Sequence, residues 1–177
     1  MIPVARHAVL LAVLLAIGLA GACATSDDSR PRRQNQSQFP TQPSDLKPER
    51  VLVANEPLED RDLNGFVDTV RVIVYVFGDT NRFALPMTVD ATFQFRLVGE
   101  QGQSLGVWAF APRETSRAVF PTQPGPAYGF ELNLNAVGTD RIPSQPARLS
   151  CEITLTDGTR VVSREPLELR VGGRIPR

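Results

Sequence analysis

Oxygen-bearing side chains are concentrated in one short stretch of this 177-residue chain, and their spacing could support metal binding. Asp60, Asp62, Asn64 and Asp68 follow one another closely, and Gly65 lies among them. A hard cation such as Ca²⁺ takes about six to eight oxygen ligands, which alternate residues of a tight loop can turn toward one centre. Because Asn-Gly is also a favoured turn dipeptide, the stretch predicts either a calcium site or a plain turn.

Residues 60–68 resemble the calcium loop of EF-hand and dockerin-type proteins, which place oxygen ligands at loop positions one, three and five and glycine at position six. The resemblance implies four side-chain ligands and one main-chain carbonyl, namely Asp60, Asp62, Asn64, Asp68 and the carbonyl of Phe66. The contact of Asp68, at position nine, would be direct or through water. The match departs from the family at position twelve, where Arg71 replaces the bidentate glutamate.

The rest of the residue inventory excludes several kinds of catalytic site. His7 is the only histidine, Lys47 is the only lysine, and the formal net charge is zero. Removal of an N-terminal leader would leave no histidine, which excludes serine-histidine and cysteine-histidine nucleophiles and histidine-ligated zinc. No lysine follows Lys47, which excludes Walker-type phosphate-binding loops. The zero net charge also provides no basic surface that could bind nucleic acid. We therefore expect no nucleic-acid partner and a domain that binds or assembles rather than catalyses.

The N-terminal segment has the features of a secretory leader. Arg6 and His7 precede an apolar run over residues 8–20, which is too short to span a bilayer and suits the h-region of a signal peptide. Ala20-Gly21-Ala22-Cys23 then resembles the lipobox of bacterial lipoproteins, with Ala20 where the family usually has leucine. The resemblance implies a signal peptide over residues 1–22, acylation of Cys23 and attachment to a membrane of the cell envelope. Ala24 after the cysteine resembles lipoproteins that are sorted to an outer membrane.

The two cysteines leave two interpretations open. If Cys23 carries lipid, Cys151 is a single thiol that its strand pattern places on an inward face, where it behaves as a small buried hydrophobe. The same Ala-Gly-Ala also suits an ordinary signal peptidase. In that case the protein is secreted, and Cys23 could form a disulfide with Cys151.

Composition divides the remaining chain into a tether and a folded domain. Residues 23–49 are rich in Gln, Ser and Pro and poor in large apolar side chains, which predicts a flexible spacer. Residues 50–177 show a period of two, in which apolar and polar side chains alternate most clearly over residues 89–98 and again over residues 128–134, 149–155 and 167–171. Residues 70–77 are apolar on both sides, which predicts a central strand. Shorter candidate strands are residues 51–54, 105–110 and 117–120, and Asp157-Gly158 indicates a hairpin. Seven or eight short strands predict an antiparallel β-sandwich of immunoglobulin-like or similar Greek-key type, with a small β-barrel as the alternative.

Two classes of function remain. The first is a membrane-anchored exported lipoprotein whose β-sandwich binds or assembles with an envelope protein, with Ca²⁺ as a candidate stabilising ion. The second is a carbohydrate-binding or carbohydrate-acting accessory domain. An exposed aromatic platform built from Trp108, Tyr75 or Tyr128 would favour the second class, and burial of all three would favour the first. We expect Trp108 to fill the core between the sheets.

Overall fold

The computed structural model of the chain describes residues 40–174. The predicted signal peptide, the lipidation site at Cys23 and most of the predicted tether lie outside these described residues. Within residues 40–174, no helix is long and apolar enough to cross a membrane.

Nine strands and one short helix follow one another in the described part of the chain. In chain order they are β1 (Arg50–Asn55), β2 (Thr69–Phe77), β3 (Ala91–Gly99), β4 (Ser104–Phe110), α1 (Pro112–Thr115), β5 (Val119–Pro121), β6 (Pro126–Asn133), β7 (Gln145–Leu155), β8 (Arg160–Val162) and β9 (Leu167–Val171). Each stretch of alternating residues has become a strand within a few residues of its predicted bounds. The strand that alternation did not indicate, β8, follows the predicted Asp157-Gly158 turn, where Gly158 has a positive φ of 84°.

The strands form two open antiparallel sheets that pack face to face. One sheet has the order β1-β2-β6-β5, and the other has the order β4-β3-β7, with β8 and β9 both pairing with β7. This is the immunoglobulin-type order, in which an A-B-E-D sheet faces a C′-C-F-G sheet. The predicted β-sandwich is therefore confirmed, and the alternative of a small closed barrel is wrong.

Alternate side chains of both sheets fill the space between them. The inward valines of β2 and the inward residues Phe93, Phe95 and Leu97 of β3 are almost fully buried. Phe130 of β6 lies 5.2 Å from Phe93 and 5.1 Å from Phe95, measured between ring centroids. Cys151 of β7 lies in the same core, and burial raises the pKa of its thiol to about 12. The inward position that alternation predicted for Cys151 is thus observed.

Packed structure begins before the residue at which composition predicts the domain to start. Leu46 is buried against the core, and the side chain of Gln42 exchanges two hydrogen bonds with the main chain of Thr88. Gly78 makes this close approach feasible, because a Cβ there would lie 2.7 Å from both Leu46 Cγ and the Lys47 carbonyl oxygen. The end of the predicted tether, residues 42–49, therefore packs on the domain that was expected to begin at residue 50.

Candidate functional site

The acidic loop, residues 60–68, connects β1 to β2 at one end of the sandwich. It folds around its own carboxylates, because Asp60 accepts hydrogen bonds from the main-chain N–H groups of Asn64, at 3.1 Å, and Gly65, at 2.8 Å. Gly65 adopts a φ of 91°, which favours glycine. Leu63 also has a positive φ, of 59°, an unfavourable conformation for a leucine that these side-chain to main-chain bonds impose on the tip of the loop.

Three carboxylates of the acidic loop converge. One oxygen from each of Asp60, Asp62 and Asp68 lies within 4.8 Å of the others. Two oxygens that each lie about 2.4 Å from a common Ca²⁺ can be at most about 4.8 Å apart. No pair of these oxygens is therefore farther apart than two ligands of one calcium ion can be, which makes the three aspartates candidate ligands of a single ion.

Asp68 is the most strongly held of the three. It is 1% exposed, and it accepts hydrogen bonds from Thr69 Oγ1, at 2.6 Å, and from the main-chain N–H groups of Arg61 and Asp62. Burial acts to raise the pKa of Asp68, but these hydrogen bonds outweigh it and the pKa is lowered. The carboxylate is consequently kept in the charged form that a metal ligand requires.

The other two ligands implied by the resemblance are placed differently. Asn64 Oδ1 accepts a hydrogen bond from the main-chain N–H of Phe66, at 2.8 Å, while Asn64 Nδ2 faces carboxylate oxygens. Phe66 forms an isolated antiparallel bridge with Arg174, so its main chain pairs with the C-terminal segment. Asn64 and Phe66 therefore take part in contacts that hold the loop in its conformation, whereas the three aspartates bring their carboxylate oxygens close together.

Asp140 is a further acidic residue beside the acidic loop, and sequence reasoning missed it. It lies in the connection between β6 and β7, is 3% exposed, and accepts a hydrogen bond from Asn64 Nδ2 at 2.6 Å. Its own main-chain N–H donates to Asn135 Oδ1. Asp140 is far from the acidic loop in sequence and belongs to no motif, so only the packing of the two connections could reveal it.

Arg71, at position twelve of the resemblance, is directed away from the acidic loop. It lies on the outward side of β2 and contacts Glu59, at 3.0 Å, and Glu131, at 3.2 Å, and Glu131 also pairs with Arg61. The hydrogen bond from Arg61, followed by the attraction of both arginines, outweighs burial and lowers the pKa of Glu131. We call Glu59, Arg61, Arg71 and Glu131 the ion-pair cluster. A glutamate in place of Arg71 would face two carboxylates there and would not complete a metal site.

The outward side of the four-stranded sheet is apolar beyond the ion-pair cluster. Cross-strand pairing places Leu52 beside Tyr75 and Ala54 beside Ile73, and Ile73 is also opposite Gly129. The ring of Phe120 covers the space above Gly129, and the guanidinium of Arg50 stacks 4.9 Å from the centroid of Phe77. We call the apolar side chains on this side the outer apolar face: Leu52, Ala54, Ile73, Tyr75, Phe77 and Phe120.

The outward side of the other sheet has the opposite character. Its paired positions on β3 and β7 are Thr92 with Thr154, Gln94 with Glu152, and Arg96 with Ser150. An antiparallel sheet that faces water on one side normally alternates apolar and polar residues in this manner. The outer apolar face departs from that pattern, because β2 has apolar residues on both of its sides.

The three candidate platform aromatics do not form one surface. Trp108 is 8% exposed, and its indole Nε1 donates a hydrogen bond to the carbonyl of Asn133 at 3.0 Å. Tyr128 is buried, and burial raises its pKa, although its hydroxyl exchanges hydrogen bonds with the main chain of Val89. Tyr75 alone lies on an outward face, half-buried, with its ring centroid 6.4 Å from that of Phe77.

Comparisons with known proteins assign no family to the chain. No protein-family model matches it, and no curated protein matches its sequence. Among solved structures, it is similar to a hypothetical protein, PH1083 from Pyrococcus horikoshii OT3, with a TM-score of 0.35 and 13% sequence identity. The similarity covers 74% of this chain and 93% of that one.

Proposed function

We propose that this chain is an exported lipoprotein, anchored through Cys23, whose β-sandwich binds another protein of the cell envelope. The outer apolar face is the observation that carries the proposal. Its residues lie outside the core between the sheets, so the fold itself does not require them to be apolar. Leu52 is 47% exposed, and the other members of the face are half-buried. A contiguous, partly exposed apolar patch on a small domain is typical of a contact surface.

The composition of this face favours a protein as the occupant. It combines the aliphatic residues Leu52 and Ile73 with the aromatic residues Tyr75, Phe77 and Phe120. Charge is confined to its two ends, where Arg50 lies on one side and the ion-pair cluster on the other. An apolar centre with a charged rim is the usual anatomy of a protein–protein interface.

In this proposal Ca²⁺ has a structural role at one end of the face. The acidic loop leads directly into β2, and Asp68 accepts a hydrogen bond from Thr69, the first residue of that strand. Asp60, Asp62 and Asp68 would hold the ion. Bound Ca²⁺ would offset the repulsion among these carboxylates and fix the start of β2 and the adjoining ion-pair cluster.

A carbohydrate ligand is the second candidate, and Tyr75 is the observation in its favour. The half-buried ring beside Phe77 could stack on a sugar. Sugar hydroxyls also need hydrogen-bonding side chains close to the stacking ring. The residues beside Tyr75 on this face, Leu52 and Ile73, are aliphatic, so a protein partner is favoured over a carbohydrate.

Site-specific photo-crosslinking of the full-length chain in its native envelope tests the proposal. A photoreactive phenylalanine analogue at Tyr75 should yield one discrete protein adduct, and the same analogue at Gln94, on the polar side of the other sheet, should not. Adding Leu52→Asp should abolish the Tyr75 adduct at an unchanged melting temperature, because Leu52 is exposed. Equal adducts from both positions, or glycan binding with no protein adduct, would overturn it.

The anchor is tested separately by intact mass spectrometry of the mature protein. We expect an N-terminal Cys23 that carries acyl chains, and membrane association that Cys23→Ser abolishes. A mature chain with an unmodified Cys23, or one that starts elsewhere, would contradict the anchor and leave the outer apolar face to be judged by crosslinking alone.

A further inference from the structure

Asn64 and Gly65 form a dipeptide whose side-chain amide can react with its own main chain. The nitrogen of the residue after an asparagine can attack the side-chain amide carbon, and glycine gives that nitrogen the freest access because it has no Cβ. Asn64 is the only asparagine of the sequence that a glycine follows. The loop requires this glycine for its φ of 91° and not for lack of space, since a Cβ there would make only ordinary contacts with Arg174, at 3.8 Å.

The nucleophile of such a reaction is the main-chain nitrogen of Gly65. Its N–H donates a hydrogen bond to Asp60 Oδ2 at 2.8 Å. An ionised acceptor draws the shared proton more strongly than a neutral acceptor does, which leaves more electron density on the donor nitrogen. The other oxygen of Asp60 accepts from the N–H of Asn64 at 3.1 Å. Asp60 therefore fixes the peptide units on both sides of the asparagine and polarises the attacking one.

The electrophile is the side-chain amide carbon of Asn64. Its oxygen, Oδ1, accepts a hydrogen bond from the main-chain N–H of Phe66 at 2.8 Å. Attack on the carbon places negative charge on this oxygen, and a donor that is already in place stabilises that charge. The amide nitrogen, Nδ2, donates to Asp62 at 2.9 Å and to Asp140 at 2.6 Å. The folded loop thus holds both reacting groups in one arrangement before the reaction begins.

We propose that Asn64 is a modification site at which the folded acidic loop promotes deamidation. The Gly65 nitrogen forms a bond to Asn64 Cγ, and the bond between Cγ and Nδ2 breaks. The proton lost by the Gly65 nitrogen passes through water to Nδ2, which leaves as ammonia, and a cyclic imide remains. Water then opens the imide at either carbonyl to give aspartate or isoaspartate. Nothing is oxidised or reduced, and water is the only co-reactant.

The product would change the contact between the acidic loop and the connection between β6 and β7. A carboxylate in place of the Asn64 amide would face the carboxylates of Asp62 and Asp140, to which Nδ2 now donates, and like charges repel. Asn64→Asp should therefore lower the melting temperature in EDTA by a few degrees. An unchanged melting temperature would contradict this loss of contact. The reaction needs no anchor, partner or metal, so it stands independently of the proposed function.

Peptide mass spectrometry of the detergent-solubilised full-length chain, incubated in EDTA at neutral pH, tests the proposal. Conversion at Asn64 should exceed that at Asn81 and Asn135, which are exposed asparagines in the same digest. The chain unfolded in guanidinium chloride keeps the Asn-Gly sequence but loses the hydrogen bonds. It should convert Asn64 at least about tenfold more slowly than the folded chain. Equal rates, or a faster reaction in the unfolded chain, would overturn the proposal.

A substitution at Asp60 separates its charge from its role as an acceptor. Asp60→Asn keeps an oxygen that can accept from the Gly65 N–H but is neutral, so conversion at Asn64 should be severalfold slower. Asp90→Asn, at an exposed aspartate outside the acidic loop, is the matched control and should leave the rate unchanged. Melting temperatures recorded in parallel show that each variant is folded during the incubation. A folded Asp60→Asn that converts Asn64 at the wild-type rate would refute the role of the loop.

Discussion

Asn64 Nδ2 lies 2.6 Å from Asp140 Oδ2, across 76 residues of sequence. The contact joins the acidic loop to the connection between β6 and β7, and it places a buried carboxylate beside Asn64, outside the group of three that converges from the loop itself. The position at which the resemblance requires an acid, Arg71, is instead occupied by a cation that belongs to the ion-pair cluster. Tertiary contact, not loop spacing, therefore brings the Asp140 carboxylate beside the acidic loop.

Calcium should raise the melting temperature of the full-length chain by a few degrees relative to EDTA. An affinity of about 10⁻⁴–10⁻³ M is typical of extracellular modules. At ten times the dissociation constant, binding would stabilise the folded state by about 1.4 kcal/mol. Mg²⁺ should have a smaller effect, because it demands octahedral geometry and loses its water reluctantly. Differential scanning fluorimetry over a millimolar titration measures the shift.

Asp60→Ala and Asp62→Ala should each abolish this calcium-specific shift. Asp90→Ala is the matched control, because Asp90 is exposed and lies outside the acidic loop. Superimposable melting curves of the wild type in CaCl₂ and in EDTA would leave the acidic loop as a hydrogen-bonded turn without a metal.

Acid should destabilise the fold partly through Asp68. Because its pKa is lowered in the folded state, the folded chain binds fewer protons than the unfolded chain. Its contribution to stability is therefore complete above the unfolded pKa of about 3.9 and is lost as the pH falls through the lower folded pKa. Asp68→Asn, measured in EDTA by urea unfolding, should lower stability at pH 7 by about 1–3 kcal/mol and flatten its dependence on pH below about 5.

Thr69→Val should give an intermediate result in the same measurement, because it removes only the hydroxyl that donates to Asp68 Oδ1. If stability falls in parallel for the wild type and Asp68→Asn between pH 5 and pH 2, other carboxylates account for acid unfolding.

Leu46→Ala should destabilise the full-length chain by about 2–5 kcal/mol, since it removes a buried leucine from the core. Lys47→Ala, at the exposed neighbouring position, should change stability by less than about 0.5 kcal/mol. Urea unfolding followed by Trp108 fluorescence is the measurement. Equal stabilities of the two variants would mean that residues 42–49 act only as a spacer.

Cys151→Ser should cost about 1–3 kcal/mol, because a serine hydroxyl in this core position would replace an apolar contact and need a partner. Cys151→Ala should cost less than Cys151→Ser if burial of a polar group is the cause. Ser150→Ala, on the outward side of the same strand, should have little effect on the urea midpoint. An unchanged urea midpoint for Cys151→Ser would contradict the burial of the thiol in an apolar environment.

The sequence by itself determined the strands and the type of fold. Side chains of a strand alternate strictly between its two sides, so the inward valines of β2 and the inward position of Cys151 follow from the order of residues alone. The same locality explains the acidic loop. Asp60 and its acceptor contacts with Asn64 and Gly65 lie within six consecutive residues, where chain geometry leaves little choice.

Tertiary structure decided the contacts between residues that are distant in sequence, because these contacts depend on which elements become neighbours in the folded chain. Leu46 packs on the core although its surroundings in sequence are polar, because Gly78 leaves room for it. The apolar outward side of β2 indicated a central strand, and only the assembled sheets reveal that, within residues 40–174, no further layer covers that side. Asp140 contacts Asn64 only because the two connections that carry them lie side by side in the folded chain. Local pattern specifies which side of an element is apolar, whereas packing free energy, summed over distant contacts, selects the elements that meet.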